Sequence, residues 1–331
     1  MGLWMPPLGR RAFAGASAGM LLAAKARAQG TALDTLQLVT GDAANTSTDR
    51  LCRLIADGLR GSAYAHDVRI ENRPGSEGRT AIESFKDAAS DGSVLLATPA
   101  ETLALYPHIY RLNYDPFDDV TPVTTACTTD FALAVGPALP ATVKTLADYF
   151  TWCRGDSRQA NFGSPAPGSL PHLIGMLLGK SAGVGLWHVP YNGLQPALDD
   201  LIAGKLPAAL GPLGAFLPHA LTGEINLLGV SGTARSRFAE GIPTFAEAGL
   251  KDMTFSEWFG IFAPDDTSPR VALRANEALR AVLARTGVAD ALAALGLEAK
   301  TSTPAELTRR LQSDHDRLGA LVRRIGFTPQ S

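Results

Sequence analysis

The chain has 331 residues, with 30 Lys and Arg against 32 Asp and Glu, a formal net charge of −2 and 46% hydrophobic residues. The balanced charge excludes the clustered basic excess of a nucleic-acid binder, and the hydrophobic content excludes a disordered chain. No apolar run reaches the roughly 18 to 20 residues that a membrane-spanning helix needs. The length exceeds what one hydrophobic core usually organises, so we expect two domains.

Residues 1–28 have the features of an export signal. They begin with an Arg pair at 10–11, continue with an uncharged and mostly apolar stretch over 12–24, and end in a small-x-small cleavage pattern at 26–28. The Arg pair followed by Phe13 is also typical of twin-arginine export, although Gly9 stands where that motif prefers Ser or Thr. We predict a periplasmic protein with a cleaved signal peptide over 1–28; an amphipathic N-terminal helix is the alternative. Cleavage would shift the net charge from −2 to −6.

The remaining chain alternates short apolar strands with amphipathic helices. The predicted strands cover 36–40, 68–71, 94–97, 131–135, 188–191, 208–210, 225–230 and 259–263. Helices are predicted after residue 48, over 81–89, over 146–153, after residue 169, over 197–203 and then through 269–325, with breaks at 286–287 and 301–304. This alternation predicts an α/β fold in which helices cover parallel sheets.

Two polar loops, at 44–48 and 164–169, open directly into predicted helices. Parallel sheets place their ligand loops at the carboxyl ends of the strands, and the start of a helix offers free N–H groups and a positive dipole end. Both loops are therefore candidate anion sites, with a plain helix cap as the alternative for each. His172 has two possible roles, a hydrogen bond to an anion or a structural hydrogen bond. Tyr191 also has two, since its side chain either lines a ligand cleft or packs in the protein interior.

Phosphate-binding, dinucleotide-binding and metalloprotease motifs are absent from the sequence. It contains no P-loop, GxGxxG or HExxH pattern, and no His or Cys spacing that suggests a metal. The three cysteines are too few for a disulfide framework. We therefore predict no enzyme and no cofactor; an exported hydrolase with a Ser169 and His172 pair is a remote alternative.

Six short motifs occur in one order: ENRPG at 71–75, DG at 91–92, YDP at 114–116, HVPYNG at 188–193, PTFAEAG at 243–249 and WFGIFAP at 258–264. This series resembles the periplasmic receptors of tripartite tricarboxylate transporters, the Bug or TctC-like solute-binding proteins. The resemblance runs from about residue 36 to the C-terminus.

The resemblance implies an α/β periplasmic-binding-protein fold of the Venus-flytrap type, with two domains, mixed sheets and a hinge of crossing strands. The first domain would comprise 29–130 and 256–331, and the second 131–255. The implied function is a receptor that captures a small organic acid for a tripartite tricarboxylate-type transporter. A periplasmic sensor that docks to a signalling domain is the alternative. We expect a monomer whose partners are the acid and the membrane transporter subunits, or a sensor domain, and no nucleic acid.

The resemblance also places the ligand between the domains, against the loop after the first strand and the helix-start loops of the second domain. The residues that correspond here are Asp42, Ala44, Asn45, Thr46, Ser47, Ser164, Gly168, Ser169, His172, Tyr191 and Asn192. The ligand carboxylate is predicted at Ser169, where a Gly-Ser turn precedes a helix.

The first loop departs from the usual pattern of the family. Family members carry a Pro-Phe-x-Ala-Gly-Gly run, whereas residues 41–46 read GDAANT. Asp42 therefore puts a negative charge where an aromatic residue is common. A second departure is Gly211, which directly follows the predicted strand 208–210 at a position where family members often have an Asp. Asp42 and Glu101 either favour a ligand with a cationic or donor-rich end or face solvent.

Overall fold

The computed structural model describes residues 31–327, so the predicted signal peptide at 1–28 lies outside the described residues. The strands are β1 Leu33–Thr40, β2 Ala65–Asn72, β3 Val94–Pro99, β4 Val120–Val135, β5 Asn161–Ser164, β6 Trp187–Pro190, β7 Ala208–Pro212, β8 Asn226–Val230, β9 Ser256–Pro264 and β10 Glu298–Ala299. The helices are α1 Ser47–Leu59, α2 Arg79–Phe85, α3 Glu101–Ala104, α4 Leu146–Gly155, α5 Leu170–Ala182, α6 Leu194–Ile202, α7 Leu213–Leu221, α8 Pro269–Leu283, α9 Thr286–Ala293 and α10 Pro304–Ile325. None of these helices is both long and apolar enough to cross a membrane.

The strands follow the order β2-β1-β3-β9-β4-β7-β5-β6, and β8 and β10 also pair with β4. β1 runs parallel to β2 and β3, whereas β9 runs antiparallel to both β3 and β4. β5 runs parallel to β6 and β7. The sheet is therefore mixed, as the resemblance implied.

Strand β4 changes partners along its length. Its first part, 120–130, pairs with β9, and its second part, 131–135, pairs with β7 and β8. Only 131–135 was predicted as a strand. The missed part is rich in Thr and Val, whose β-branched side chains favour strands, but Pro122 and Asp130 interrupt its apolar pattern.

The three cysteines are free and buried. Cys52 and Cys127 belong to one apolar cluster, together with Leu38 and Ile261. Cys153 belongs to a second cluster that also holds Trp258. All three act as small apolar residues of the core.

Close packing at the start of α7 gives a test of the fold. A Cβ atom on Gly214, the second residue of α7, would lie 2.0 Å from the carbonyl oxygen of Leu295. Gly214→Ala should therefore lower the free energy of unfolding by at least about 1 kcal/mol, because the backbone at Leu295 must move. Gly287 is also the second residue of its helix, α9, and has no neighbour within 4 Å of its Cβ position.

Gly287→Ala is the matched control. It should leave stability unchanged or raise it by up to about 1 kcal/mol, because Ala is the better helix former. Urea unfolding of the two variants measures the difference, and equal effects would contradict the close contact.

Candidate functional site

A cavity of about 500 Å³ lies where the starts of four helices meet strands β4 and β9. The four helices are α1, α5, α6 and α7. The residues that line the cavity are 45–48 at the start of α1, Ser169 and Pro171 at the start of α5, 192–196 at the start of α6, and Pro212, Gly214 and Ala215 at the start of α7. The strands add Thr129 and Phe131 from β4 and Glu257 and Phe259 from β9.

Six of the eleven predicted ligand-binding residues line this cavity. They are Asp42, Asn45, Thr46, Ser47, Ser169 and Asn192. Two loops that are far apart in the sequence therefore meet at one site. Ligand binding by each of these residues stays a prediction.

The other five predicted residues do not line the cavity. Ala44 is exposed in the loop before α1. Gly168 donates its backbone N–H to Nδ1 of His172 at 2.9 Å, and Ser164 Oγ lies 2.8 Å from Nε2 of His188. The hydroxyl of Tyr191 donates to Asp200 Oδ2 at 3.0 Å. Apart from Ala44, these residues make hydrogen bonds within the loops that carry the lining.

His172 packs behind the cavity against a second histidine. The rings of His172 and His188 stack with their centroids 3.7 Å apart. Burial lowers the pKa of each imidazole to about 4, and the neighbouring His188 adds to the shift at His172. Both rings are therefore neutral at pH 7, and His172 offers no positive charge to an anion.

Three helix starts present unpaired backbone donors at the cavity. Within residues 31–327, no hydrogen-bond partner is found for the N–H groups of Ser47 and Thr48 in α1, Leu194 and Gln195 in α6, or Gly214 and Ala215 in α7. α6 and α7 also lack any side-chain cap. Free N–H groups at the positive end of a helix dipole favour a negative charge.

The start of α5 is already occupied by a carboxylate of the protein. Oε2 of Glu101 accepts the N–H of Leu170 at 3.0 Å, Pro171 has no N–H, and Ser169 Oγ accepts the N–H of His172 at 3.5 Å. Next to Ser169, where the ligand carboxylate is predicted, the N–H of Leu170 thus already has Glu101 as its acceptor.

Three carboxyl groups line the cavity: Asp42, Glu101 and Glu257. Burial raises the pKa of Asp42 above its ordinary value, although the hydrogen bond from Thr48 opposes the shift. Burial likewise raises the pKa of Glu101 to about 6, and it raises the pKa of Glu257 still further, with the charge of Glu101 adding to the effect. Glu257 also accepts the N–H of Ala100 at 2.8 Å.

None of the described residues that line the cavity is Lys, Arg or His. An anion here would be held by backbone N–H groups and by the hydroxyls and amides of Thr46, Ser47 and Asn192. Residues 31–327 also contain no group of three or more His, Cys, Asp or Glu that could hold a metal ion.

Glu257, Thr129 and the start of α7 were not predicted from the sequence. Glu257 is a single acidic residue at the head of the apolar run 258–263, which is a signal that could have drawn attention to it. The start of α7 has no Ser, Thr, Asp or Asn at its cap position, because Pro212 stands there. Because helix starts are recognised in a sequence by their N-cap residues, the start of α7 could not be predicted.

Known proteins resemble this chain in sequence and in fold. A model of the tripartite tricarboxylate transporter receptor family, TctC, matches residues 51–327. Protein BugT of Bordetella pertussis is 27% identical over 296 residues, which cover 88% of this chain and 89% of that protein. The structure of R. palustris Rpa4515 with adipate is 28% identical, covers 90% of this chain and 99% of its own, and has a TM-score of 0.80.

MatC from Rhodopseudomonas palustris, solved with bound malate, has a TM-score of 0.76 over 87% of this chain and 99% of its own, at 24% identity, and this likeness shows the fold alone. The predicted α/β periplasmic-binding-protein fold with mixed sheets is confirmed. The matched family consists of solute-binding receptors and not of enzymes, so the prediction of a non-enzymatic protein is confirmed as well.

The stacked histidines generate a pH prediction. Their pKa values of about 4 in the native protein lie below the ordinary value of 6.5, so only the unfolded chain takes up these protons as the pH falls from 6.5 to 4. His188→Gln removes one of the two groups and leaves an amide beside Ser164. Its loss of stability between pH 6.5 and 4.5 should be smaller than that of the wild type by about 2 kcal/mol.

His66→Gln, which removes an exposed histidine of β2, controls for the number of histidines. Urea unfolding at both pH values gives the comparison, and the carboxyl groups cancel because all three proteins share them. An identical loss in the wild type and in His188→Gln would contradict the neutral pair.

Proposed function

This chain belongs to the tripartite tricarboxylate transporter receptor family, and we propose that it captures a small organic acid in the periplasm and delivers it to a transporter of that type. The proposed ligand site is the cavity between the starts of α1, α6 and α7. Its lining includes Asp42, Asn45, Thr46, Ser47 and Asn192.

One observation carries this proposal: three helix starts with unpaired N–H groups meet at one cavity that no basic side chain lines. An organic acid needs hydrogen-bond donors for its carboxylate, and backbone N–H groups at helix starts supply them without a mobile side chain. The volume of about 500 Å³ is within the range of cavities that hold small molecules.

The three carboxyl groups restrict which acid fits. Burial already disfavours the ionised forms of Glu101 and Glu257, and an ionised ligand carboxylate beside either of them would add an unfavourable charge in a poorly solvated place. The part of the ligand that faces these residues therefore carries hydroxyl, amide or ammonium donors, or a protonated carboxyl group. The structure of Rpa4515 with adipate supports an acid of a few carbon atoms.

We further propose that the ligand closes two domains around itself. The division into 29–130 plus 256–331 and 131–255 falls where β4 exchanges β9 for β7 and β8, and where the chain enters β9. The cavity takes its lining from both parts. Export through the segment 1–28 belongs to the same proposal, since the transporter partner receives its ligand in the periplasm.

A panel of carboxylic acids tests the function. A ligand that binds only the native protein stabilises it by about 2.7 kcal/mol at 100 times its Kd. For a chain of this size that raises the melting midpoint by about 5 °C. We expect at least one mono- or dicarboxylic acid, with adipate and malate in the panel, to produce such a shift. A panel in which no acid shifts the midpoint would contradict an organic-acid receptor.

A charge at the start of α1 tests the site itself. Thr46 is the N-cap of α1 and lines the cavity. Thr46→Asp keeps a good cap, so the midpoint without ligand should hardly change. The affinity for the acid found in the panel should fall at least about tenfold, because the new carboxylate repels that of the ligand.

Ser268→Asp is the matched control, since Ser268 is the N-cap of α8 and does not line the cavity. Calorimetric titration compares both variants with the wild type. Unchanged affinity in Thr46→Asp would mean that the carboxylate does not lie at α1.

A further inference from the structure

A second cavity, of about 480 Å³, lies behind the same two strands. In the β4–β9 ladder, Thr129 pairs with Glu257 and the next pair is Asp130 with Ser256. Successive residues of a strand point to opposite faces. Glu257 accordingly lines the cavity at the helix starts, the front cavity, whereas Asp130 and Ser256 line the second, rear cavity. Thr129 lies at the edge between them and lines both.

The rear cavity differs from the front cavity in its charge. Five basic side chains line it: Arg235, Arg237, Lys300, Arg310 and Arg317. Two acidic side chains, Asp130 and Glu298, also line it. The cationic excess is concentrated here in a chain whose net charge is −2.

Several of these cations lack a full set of partners. Arg235 pairs with Glu247 at 3.0 Å, outside the lining. Within residues 31–327, the side chains of Arg237 and Lys300 make no ion pair and no hydrogen bond, and the Arg237 guanidinium lies over the ring of Phe238 at 4.7 Å. These two groups are therefore available to a ligand.

Arg310 is the deepest of the five. Its guanidinium approaches Ser256 Oγ at 3.5 Å and Asp314 Oδ2 at 3.9 Å, which are weak contacts for a group with five donors. Asp314 is shared, because it also accepts from Nε1 of Trp258 at 2.7 Å and pairs with Arg317 at 3.2 Å. Most of the N–H donors of this half-buried guanidinium are thus unused.

We propose that the rear cavity is a second binding site, for a small anion that carries two or more negative charges, such as a phosphate or a polycarboxylate. Arg310 would bind the anion from the floor, with Arg237 and Lys300 completing the site from opposite sides. Planar guanidinium groups favour oxyanions through paired hydrogen bonds.

The site would connect segments on both sides of the proposed hinge. Arg237 follows β8, whereas Lys300 and Arg310 belong to the C-terminal part of the chain. An anion held by all three restrains the strands that form the wall of the front cavity.

Inorganic pyrophosphate serves as the probe, in calorimetric titration of the full chain. We expect one site in the wild type, with an affinity that falls as salt is added. Arg310→Gln should weaken binding at least about tenfold, because it removes charge-assisted hydrogen bonds. Arg237→Gln, at an exposed position, gives the same test without risk to the core.

Arg309→Gln is the matched control: it removes the same charge from the next residue of α10, which does not line the cavity. Its affinity should stay within about twofold of the wild type. No binding to the wild type, or equal weakening in all three variants, overturns the proposal. So does binding that survives in Arg310→Gln but is lost in Thr46→Asp, which would place the anion in the front cavity.

Discussion

The pairing of β4 with β9 is the interaction on which the other features of the molecule depend. This antiparallel ladder extends from Val120 opposite Pro264 to Asp130 opposite Ser256. It places Glu257 in the front cavity, Asp130 and Ser256 in the rear cavity, and Thr129 in the lining of both. Beyond Asp130 the strand turns to β7 and β8, and the helices that follow β5, β6 and β7 thereby reach the front cavity.

The two cavities offer different kinds of hydrogen-bond donor to a negatively charged ligand. In the front cavity the donors are backbone N–H groups with a few hydroxyls and amides, and the ionisable side chains among the described lining residues are the carboxyls of Asp42, Glu101 and Glu257. Glu101 satisfies the start of α5, so an acid ligand is left with α1, α6 and α7. In the rear cavity, guanidinium and ammonium groups supply the donors. The two cavities thus differ in the kind of donor that lines them, which is neutral at the front and cationic at the rear.

Much of the fold could be predicted from the sequence, because most strands and helices have the characteristic spacing of apolar residues within their own segment. The loop before α1 could also be predicted, since a strand, a polar stretch and a capped helix follow one another there. The first part of β4 could not, because Pro122 and Asp130 hide a strand whose neighbours come from the far end of the chain.

The candidate site was predictable only in part, for the same physical reason. Thr46, Ser47 and Ser169 show local cap signals. The role of Glu101 at the start of α5 depends on a contact between residues 69 positions apart, and no local pattern reveals it. The start of α7 lacks a cap residue altogether, so only the packing of the chain brings its N–H groups to the cavity.

A crystal structure of the protein with the acid that stabilises it most would test the central claim directly. We predict carboxylate oxygens at about 2.7 to 3.2 Å from backbone nitrogens of at least two of the three helix starts, with Glu101 still bound to Leu170. A carboxylate held by an Arg or Lys side chain, or one that displaces Glu101 from the start of α5, would contradict the account.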